Sequence, residues 1–429
     1  MHRGSNEVGG NCVEVRTTTT RIIIDVGMPL FGENRQPHDL GKLKRLSADE
    51  LRSNGILLEI PGLFELDRSR DETQTVAVID AILLSHAHQD HTGLLPFTRP
   101  EIPVYGTSGT SKMMLAGSIF ANQVSVPRDR YRTLEKDGKI RIGDIEITPI
   151  AVDHSIYGSV AFLLEADGKR VLYSGDLRMH GRKPGMMKRF AEIAKTADEI
   201  VLEGTHFGLP NGECISEFEV ENRMADNFQN ARSLVLVSVS AQNLDRLVGI
   251  IRASIRSNRQ LVLDFYSAFV LYLLGSETNL PTMGVSPKLR LFISSRLKSK
   301  LSRGVLAKLR ARWKVCEIGV DEVRKNPGQF VLIFQQSMLE SDFECTLPAN
   351  SLLIYSRWDG YRKLDQFKPM ESAINACDGS IQAIHTSGHL FDFDCRRLID
   401  QLTRSKIVPI HTFEPDQLRK LSIGARSMT

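Results

Sequence analysis

Within the nine residues Ser85-His86-Ala87-His88-Gln89-Asp90-His91-Thr92-Gly93 the chain places three imidazoles and a carboxylate in the pattern H-x-H-x-D-H. Buried without a shared partner, such a group would leave several polar atoms unsatisfied, so a cation is the better account of it. On an extended segment residues i and i+2 point the same way, which lets His86 and His88 grip one ion. Asp90 and His91, turning with the start of a helix, offer an oxygen and a nitrogen to a second ion alongside. Two histidines do not complete a site, and the chain supplies Asp153-His154 and then Ser174-Gly175-Asp176, each beside a strand-like run. His154 is expected to complete the first ion, and a carboxylate such as Asp176 can bridge two. Imidazole with carboxylate suits Zn²⁺ best, and Mn²⁺ or Fe²⁺ can use the same donors. Two cations about 3.5–4 Å apart can activate a water and hold a leaving oxygen, so a bridging hydroxide is expected.

These side chains need rigid elements behind them. Cys12 to Val26 reads as strand, turn and strand, with Asp25 at a strand's end. The polar stretch 30–75 reads as a surface excursion with one or two short helices. The apolar runs Val76–Ile79 and Ala81–Leu84 predict a buried strand feeding directly into the histidine cluster. Further strands are predicted at Ile145–Ile150, Val160–Glu165, Val171–Ser174 and Ile200–Glu203. From about residue 207 a second alternating series begins, with strands at Leu234–Val239, Leu261–Phe265, Phe330–Phe334 and Leu352–Tyr355. This predicts an α/β chain with stacked sheets and a second α/β lobe.

With 429 residues, 41% hydrophobic and 25% charged, the chain is neither disordered nor fibrous and can bury a large core. A balance of 55 basic against 51 acidic residues, net +4, is too small to announce nucleic-acid binding through bulk charge alone, so any such signal must be local. The six cysteines lie far apart without a C-x-x-C pair, as expected of reduced packing residues in a cytoplasmic protein. No signal peptide and no membrane-spanning apolar run are expected.

Asp25, the H-x-H-x-D-H string, His154 and Asp176 together resemble the ordered motifs of the metallo-β-lactamase fold. Glu203-Gly204-Thr205-His206, His385-Thr386-Ser387-Gly388-His389 and Val408-Pro409-Ile410-His411 resemble the three added motifs of the β-CASP nucleases, the group that contains ribonuclease J. The resemblance implies an αββα sandwich with an inserted α/β β-CASP domain: residues 1–206, an insert at 207–383, and a return at 384–429. It implies His86, His88 and His154 on one metal, Asp90, His91 and His411 on the other, Asp176 between them, and Asp25 bracing the metal loop. Glu203 would orient His389 as proton donor to the leaving oxygen, and Ser387 with the Gly388 backbone would contact a phosphate oxygen. His411 at the third added motif resembles the RNA-processing branches, so the expected substrate is RNA, single-stranded. A homodimer is compatible with this reading. The chain ends soon after His411, so the further C-terminal domain of ribonuclease J is expected to be absent.

From Lys288 to Lys314 there are ten basic residues and no acidic one. Leu297, Leu301, Val305, Leu309 and Trp313 recur every fourth residue, a spacing that drifts around one straight helix, so two helices breaking near Ser302-Arg303-Gly304 are predicted. The run is either a solvated face or an RNA-binding one. The expected activity is therefore that of a zinc-dependent ribonuclease. The alternatives are a catalytically silent RNA-binding or scaffold subunit and a small-molecule hydrolase on the same fold.

Overall fold

In a computed structural model the structure describes residues 1–32, 34–65, 78–135, 137–209, 213–402 and 405–427. The chain forms two compact units, Met1–Gly212 with Gly388–Thr429, and Glu213–Ser387.

The first unit contains two sheets. One is ordered β1 (Val13–Arg16), β2 (Arg21–Ile24), β3 (Ala81–Leu83), β4 (Val104–Thr107), β5 (Tyr131–Leu134). Strands β6 (Ile140–Ile142), β7 (Ile145–Ala151), β8 (Val160–Ala166), β9 (Lys169–Tyr173) and β10 (Glu199–Glu203) build most of the other. Ile22, Ile24 and Leu83 of the first sheet pack against Ile145, Ile147, Phe162 and Tyr173 of the second, forming the core between the layers. The opposite face of the second sheet is covered by the helices Pro184–Ala194, Asp392–Asp400 and Pro415–Ser427, through Phe190, Leu398 and Leu418. Ser108–Phe120 is the long helix that follows β4. This is the αββα sandwich.

The second unit is built on a seven-stranded parallel sheet. Its strands are β11 (Val235–Ser238), β12 (Gln260–Asp264), β13 (Leu289–Phe292), β14 (Glu317–Ile318), β15 (Phe330–Ile333), β16 (Leu352–Tyr355) and β17 (Ser380–Ala383), in the order β14-β13-β12-β15-β11-β16-β17. Its interior strands read as unbroken apolar runs because helices cover a parallel sheet. The chain then returns to the first unit, where β18 (Lys406–Ile410) pairs in parallel with β10, Glu203 opposite Ile410.

Two expectations need correction. The strand leading to the histidine loop is only Ala81–Leu83, because the Asp80 carboxylate accepts from the Arg21 amide at 2.7 Å and ends the ladder. Val78 is 71% exposed, while Val76 and Ala77 lie outside the described residues. In the basic run only Gly304–Trp313 is α-helical. The preceding part forms two 3₁₀ turns, Ser295–Leu297 and Lys300–Ser302. There Asp342 draws in the Ser294 hydroxyl at 2.6 Å and the Ser295 amide at 2.7 Å, competing with regular helix. The break itself falls where predicted, with Arg303 extended and Gly304 at φ +63°.

Candidate metal centre

Apart from His389, the side chains of the centre sit at or just after the C-terminal ends of strands. Asp25 follows β2, the His86 loop follows β3, His154 follows β7, Asp176 follows β9, Glu203 closes β10 and His411 follows β18. Asp25 and His411 adopt left-handed φ of 58° and 53°. That conformation costs a non-glycine residue about 1–2 kcal/mol and persists only where its surroundings enforce it. The metal loop lies so close to Gly27 that a Cβ there would come within 1.7 Å of the Asp90 carbonyl oxygen. Only glycine fits at this position.

Two four-residue groups bring their donor atoms within 4.8 Å of one another: His86, His88, His154 and Asp176, and Asp90, His91, Asp176 and His411. Asp176 belongs to both. Its Oδ2 lies 3.1 Å from His91 Nε2, 3.6 Å from His86 Nε2, and 4.0 Å from both His154 Nε2 and His411 Nε2. A third group, Glu203, His389 and His411, adjoins the second. His86, His91, His154 and His411 are wholly buried, whereas the side chain of His389 is 21% exposed.

The surroundings fix which ring nitrogens face inward. His91 Nδ1 donates to Asp25 Oδ2 at 2.7 Å and His154 Nδ1 donates to the Gly388 carbonyl at 2.6 Å. Ser85 donates its hydroxyl hydrogen to Asp25 Oδ2 at 2.7 Å, which leaves its oxygen to accept from His86 Nδ1 at 3.0 Å. In the neutral rings Nε2 is then a lone pair. His86 Nε2 and His154 Nε2 stand 3.1 and 3.2 Å from His88 Nδ1, and His411 Nε2 stands 3.1 Å from Asp90 Oδ2. Lone pairs at such distances repel unless a cation or proton lies among them. Asp176 Oδ1 is buried and has no hydrogen-bond partner among the described residues. The donors present therefore fit divalent metal.

The electrostatics agree. Burial holds His86 and His154 well below the ordinary imidazole pKa and His88 at about 4, so these rings are neutral donors. Burial also opposes the proton on His91, but Asp176, Asp25 and Asp90 outweigh it and raise that pKa well above normal. The site demands positive charge there. Burial would raise the Asp90 and Asp176 carboxyls, yet the surrounding imidazoles hold both below the usual range. At His389 burial is outweighed by Asp176 and Glu203, and the pKa is raised to about 9.

Of the remaining site residues expected from sequence, Glu203 lies beside His389, its Oε1 3.5 Å from Nδ1, long for a hydrogen bond. The Gly388 carbonyl is committed to His154, and a Cβ on Gly388 would sit 2.9 Å from His154 Cε1. Ser387 is the last residue of the second unit. Sequence reasoning passed over three hydroxyls and one buried ion pair. Thr205 is a hydroxyl two residues from the strand-end acid Glu203, and Ser85 adjoins His86; that proximity was a signal. Tyr173, whose hydroxyl donates to Asp25 Oδ2 at 2.7 Å, gave none. Neither did the ion pair between Asp153 and Arg178, Nε to Oδ1 3.0 Å, both side chains no more than 1% exposed.

Residues 60–209 match the beta-lactamase superfamily domain. The chain is similar to ribonuclease J of Helicobacter pylori, 25% identical over 60% of this chain and 35% of that protein. It is also similar to ribonuclease J of Mycolicibacterium smegmatis and of Mycobacterium tuberculosis, each 27% identical over 60% of this chain and 42% of theirs. The chain thus spans less than half the length of these relatives. A solved structure, a protein of unknown function from Enterococcus faecalis, superposes with a TM-score of 0.77 at 22% identity, over 97% of this chain and 94% of that one. The chain thus contains a stretch that matches the beta-lactamase superfamily domain, and over about 60% of its length it is similar to ribonuclease J. Among the described residues no helix is long and apolar enough to cross a membrane.

Proposed function

We propose that this chain is a metal-dependent ribonuclease that hydrolyses phosphodiester bonds of single-stranded RNA with two zinc ions, Mn²⁺ being able to serve in the same donors. The observation that carries this reading is Asp176, one carboxylate shared by two converging sets of buried donors. His86, His88 and His154 would hold one ion, Asp90, His91 and His411 the other, and Asp176 both. When bound, such a pair supplies an acidified water and offsets the phosphate's negative charge.

The protein's own groups do the rest. Asp25, Ser85 and the Gly388 carbonyl orient the imidazoles. His389, partly exposed and with its pKa raised to about 9 by Asp176 and Glu203 against the opposing effect of burial, would protonate the departing oxygen, with Glu203 compensating its charge. Gly388, by its backbone, and Ser387 beside it in the chain would contact a phosphate oxygen. In this reading the β-CASP lobe is the insert expected at residues 207–383, most of which lies in the compact unit Glu213–Ser387.

RNA is favoured by the relatives' activity and by local charge. Arg296, Lys298, Lys300, Arg303, Lys308, Arg312 and Lys314 are all exposed, and Lys308 and Arg312 share one helical face. Among the described residues no disulfide is formed, as suits the cytoplasm.

The test is incubation of the metal-loaded protein with RNA and DNA oligonucleotides labelled at either end, beside Asp176→Asn and Asp90→Ala/His91→Ala variants. Metal-dependent cleavage of RNA by the wild type alone is expected. RNA binding without cleavage by a metal-free chain would mean a scaffold subunit, and inertness toward all polynucleotides would mean a small-molecule hydrolase.

A further inference from the structure

Glu203 is fully buried, and its two oxygens are already occupied. Oε1 accepts from the amides of Leu390 at 3.1 Å and Leu177 at 3.4 Å. Oε2 accepts from the Thr205 amide at 2.9 Å and the Thr205 hydroxyl at 2.8 Å. The same hydroxyl oxygen lies 3.0 Å from His389 Nδ1 and 2.7 Å from His411 Nδ1. The two rings are stacked, their centroids 5.2 Å apart and their planes 20° from parallel, so both can address one atom.

A hydroxyl has one hydrogen and two lone pairs. If Thr205 gave its hydrogen to either imidazole, its lone pairs would face the Glu203 carboxylate at 2.8 Å, oxygen against oxygen with nothing between. The hydrogen must therefore go to Glu203, and both lone pairs accept from the rings. Each ring then carries its hydrogen on Nδ1, whether His389 is neutral or protonated. The chain uses this arrangement twice. Ser85 likewise donates to the buried Asp25 and accepts from His86 Nδ1.

We propose that Thr205 is a positioning residue that sets the tautomers of His411 and His389 together, turning the His411 Nε2 lone pair toward Asp90 and leaving His389 Nε2 as the proton-carrying atom. This rests on the reading of His411 as metal ligand and His389 as proton donor, and it moves the orienting role from Glu203 to the hydroxyl between them. Through Thr205 the second metal position and the proton donor share one anchor. A change at that hydroxyl is felt by both, while the His86, His88 and His154 position keeps its own anchors.

The experiment is two-bond ¹H–¹⁵N NMR on full-length protein labelled with ¹⁵N-histidine, combined with chelator-competition measurement of both zinc affinities, for wild type, Thr205→Val and Thr205→Ser. Wild type should show hydrogen on Nδ1 of both His411 and His389. Thr205→Val should lose that signature and bind one of the two zinc ions roughly 10–100-fold less tightly, the other within about twofold. Thr205→Ser should restore both readouts. Hydrogen on Nε2 of wild-type neutral His411 would overturn the proposal without any variant, and so would Thr205→Val with unchanged tautomers and affinities. Failure of the ribonuclease reading looks different: no RNA cleavage by wild type, with the tautomers as stated.

Discussion

Replacing Arg178 with Met tests whether the buried ion pair behind the metal loops is structural framework. Arg178 lies two residues after Asp176, and its partner Asp153 immediately precedes His154. Truncation leaves the Asp153 carboxylate, 1% exposed, with the Lys183 amide at 2.7 Å and the Lys183 ammonium 3.9 Å away. Removing one member of a buried pair costs about 3–5 kcal/mol, and the surviving partners place this case near the lower bound, about 3 kcal/mol. For a unit of this size that is a fall of roughly 6–12 °C in the melting temperature of the metal-free protein. The Arg178 amide still donates to the Asp153 carbonyl at 2.8 Å, so the backbone link between the loops survives and the side-chain contribution is isolated. Asp153→Asn/Arg178→Met leaves no buried charge and should recover most of the loss. Calorimetry of the three proteins decides the matter. A single variant within about 1 kcal/mol of wild type, or a double variant as unstable as the single, would refute the reasoning.

Asp25→Asn places an amide NH₂ among donors that need an acceptor, namely Ser85, His91 and Tyr173, and should lower metal affinity roughly 10–100-fold in a chelator competition. His389→Ala should reduce RNA hydrolysis by roughly 10²–10⁴-fold while the metal content measured by mass spectrometry stays at the wild-type level. Lys308→Glu/Arg312→Glu should weaken single-stranded RNA binding and flatten the slope of log affinity against log salt by roughly 1.4, read by fluorescence anisotropy. Iodoacetamide at pH 8 should modify exposed Cys345 rapidly and spare Cys12, whose thiol burial pushes to about 12, until the protein is unfolded.

What could be read from sequence was local. His86, His88, Asp90 and His91 announce themselves because four donors crowd one short segment, and the buried strands β8, β10 and β16 carry apolar runs with clear ends. Contacts between distant residues left no comparable trace. Tyr173 reaches Asp25 across 148 positions, and Thr205 reaches His411 across 206. Such hydroxyls look like any others until the chain has folded. β4 was passed over because Val104–Thr107 carries a glycine and a threonine in four residues. The first half of the basic run kept a helical spacing of leucines, yet Asp342 drew its serines into short turns.

The parallel pairing of β10 with β18 joins segments made at different times. At about 5–20 residues per second, a ribosome needs roughly 10–40 s to add the 206 positions between Thr205 and His411. Throughout that interval β10 presents an open edge, and the second set of donors lacks its histidine. A nascent chain therefore holds that donor set incomplete, and its unpaired edge is open to pairing with other strands.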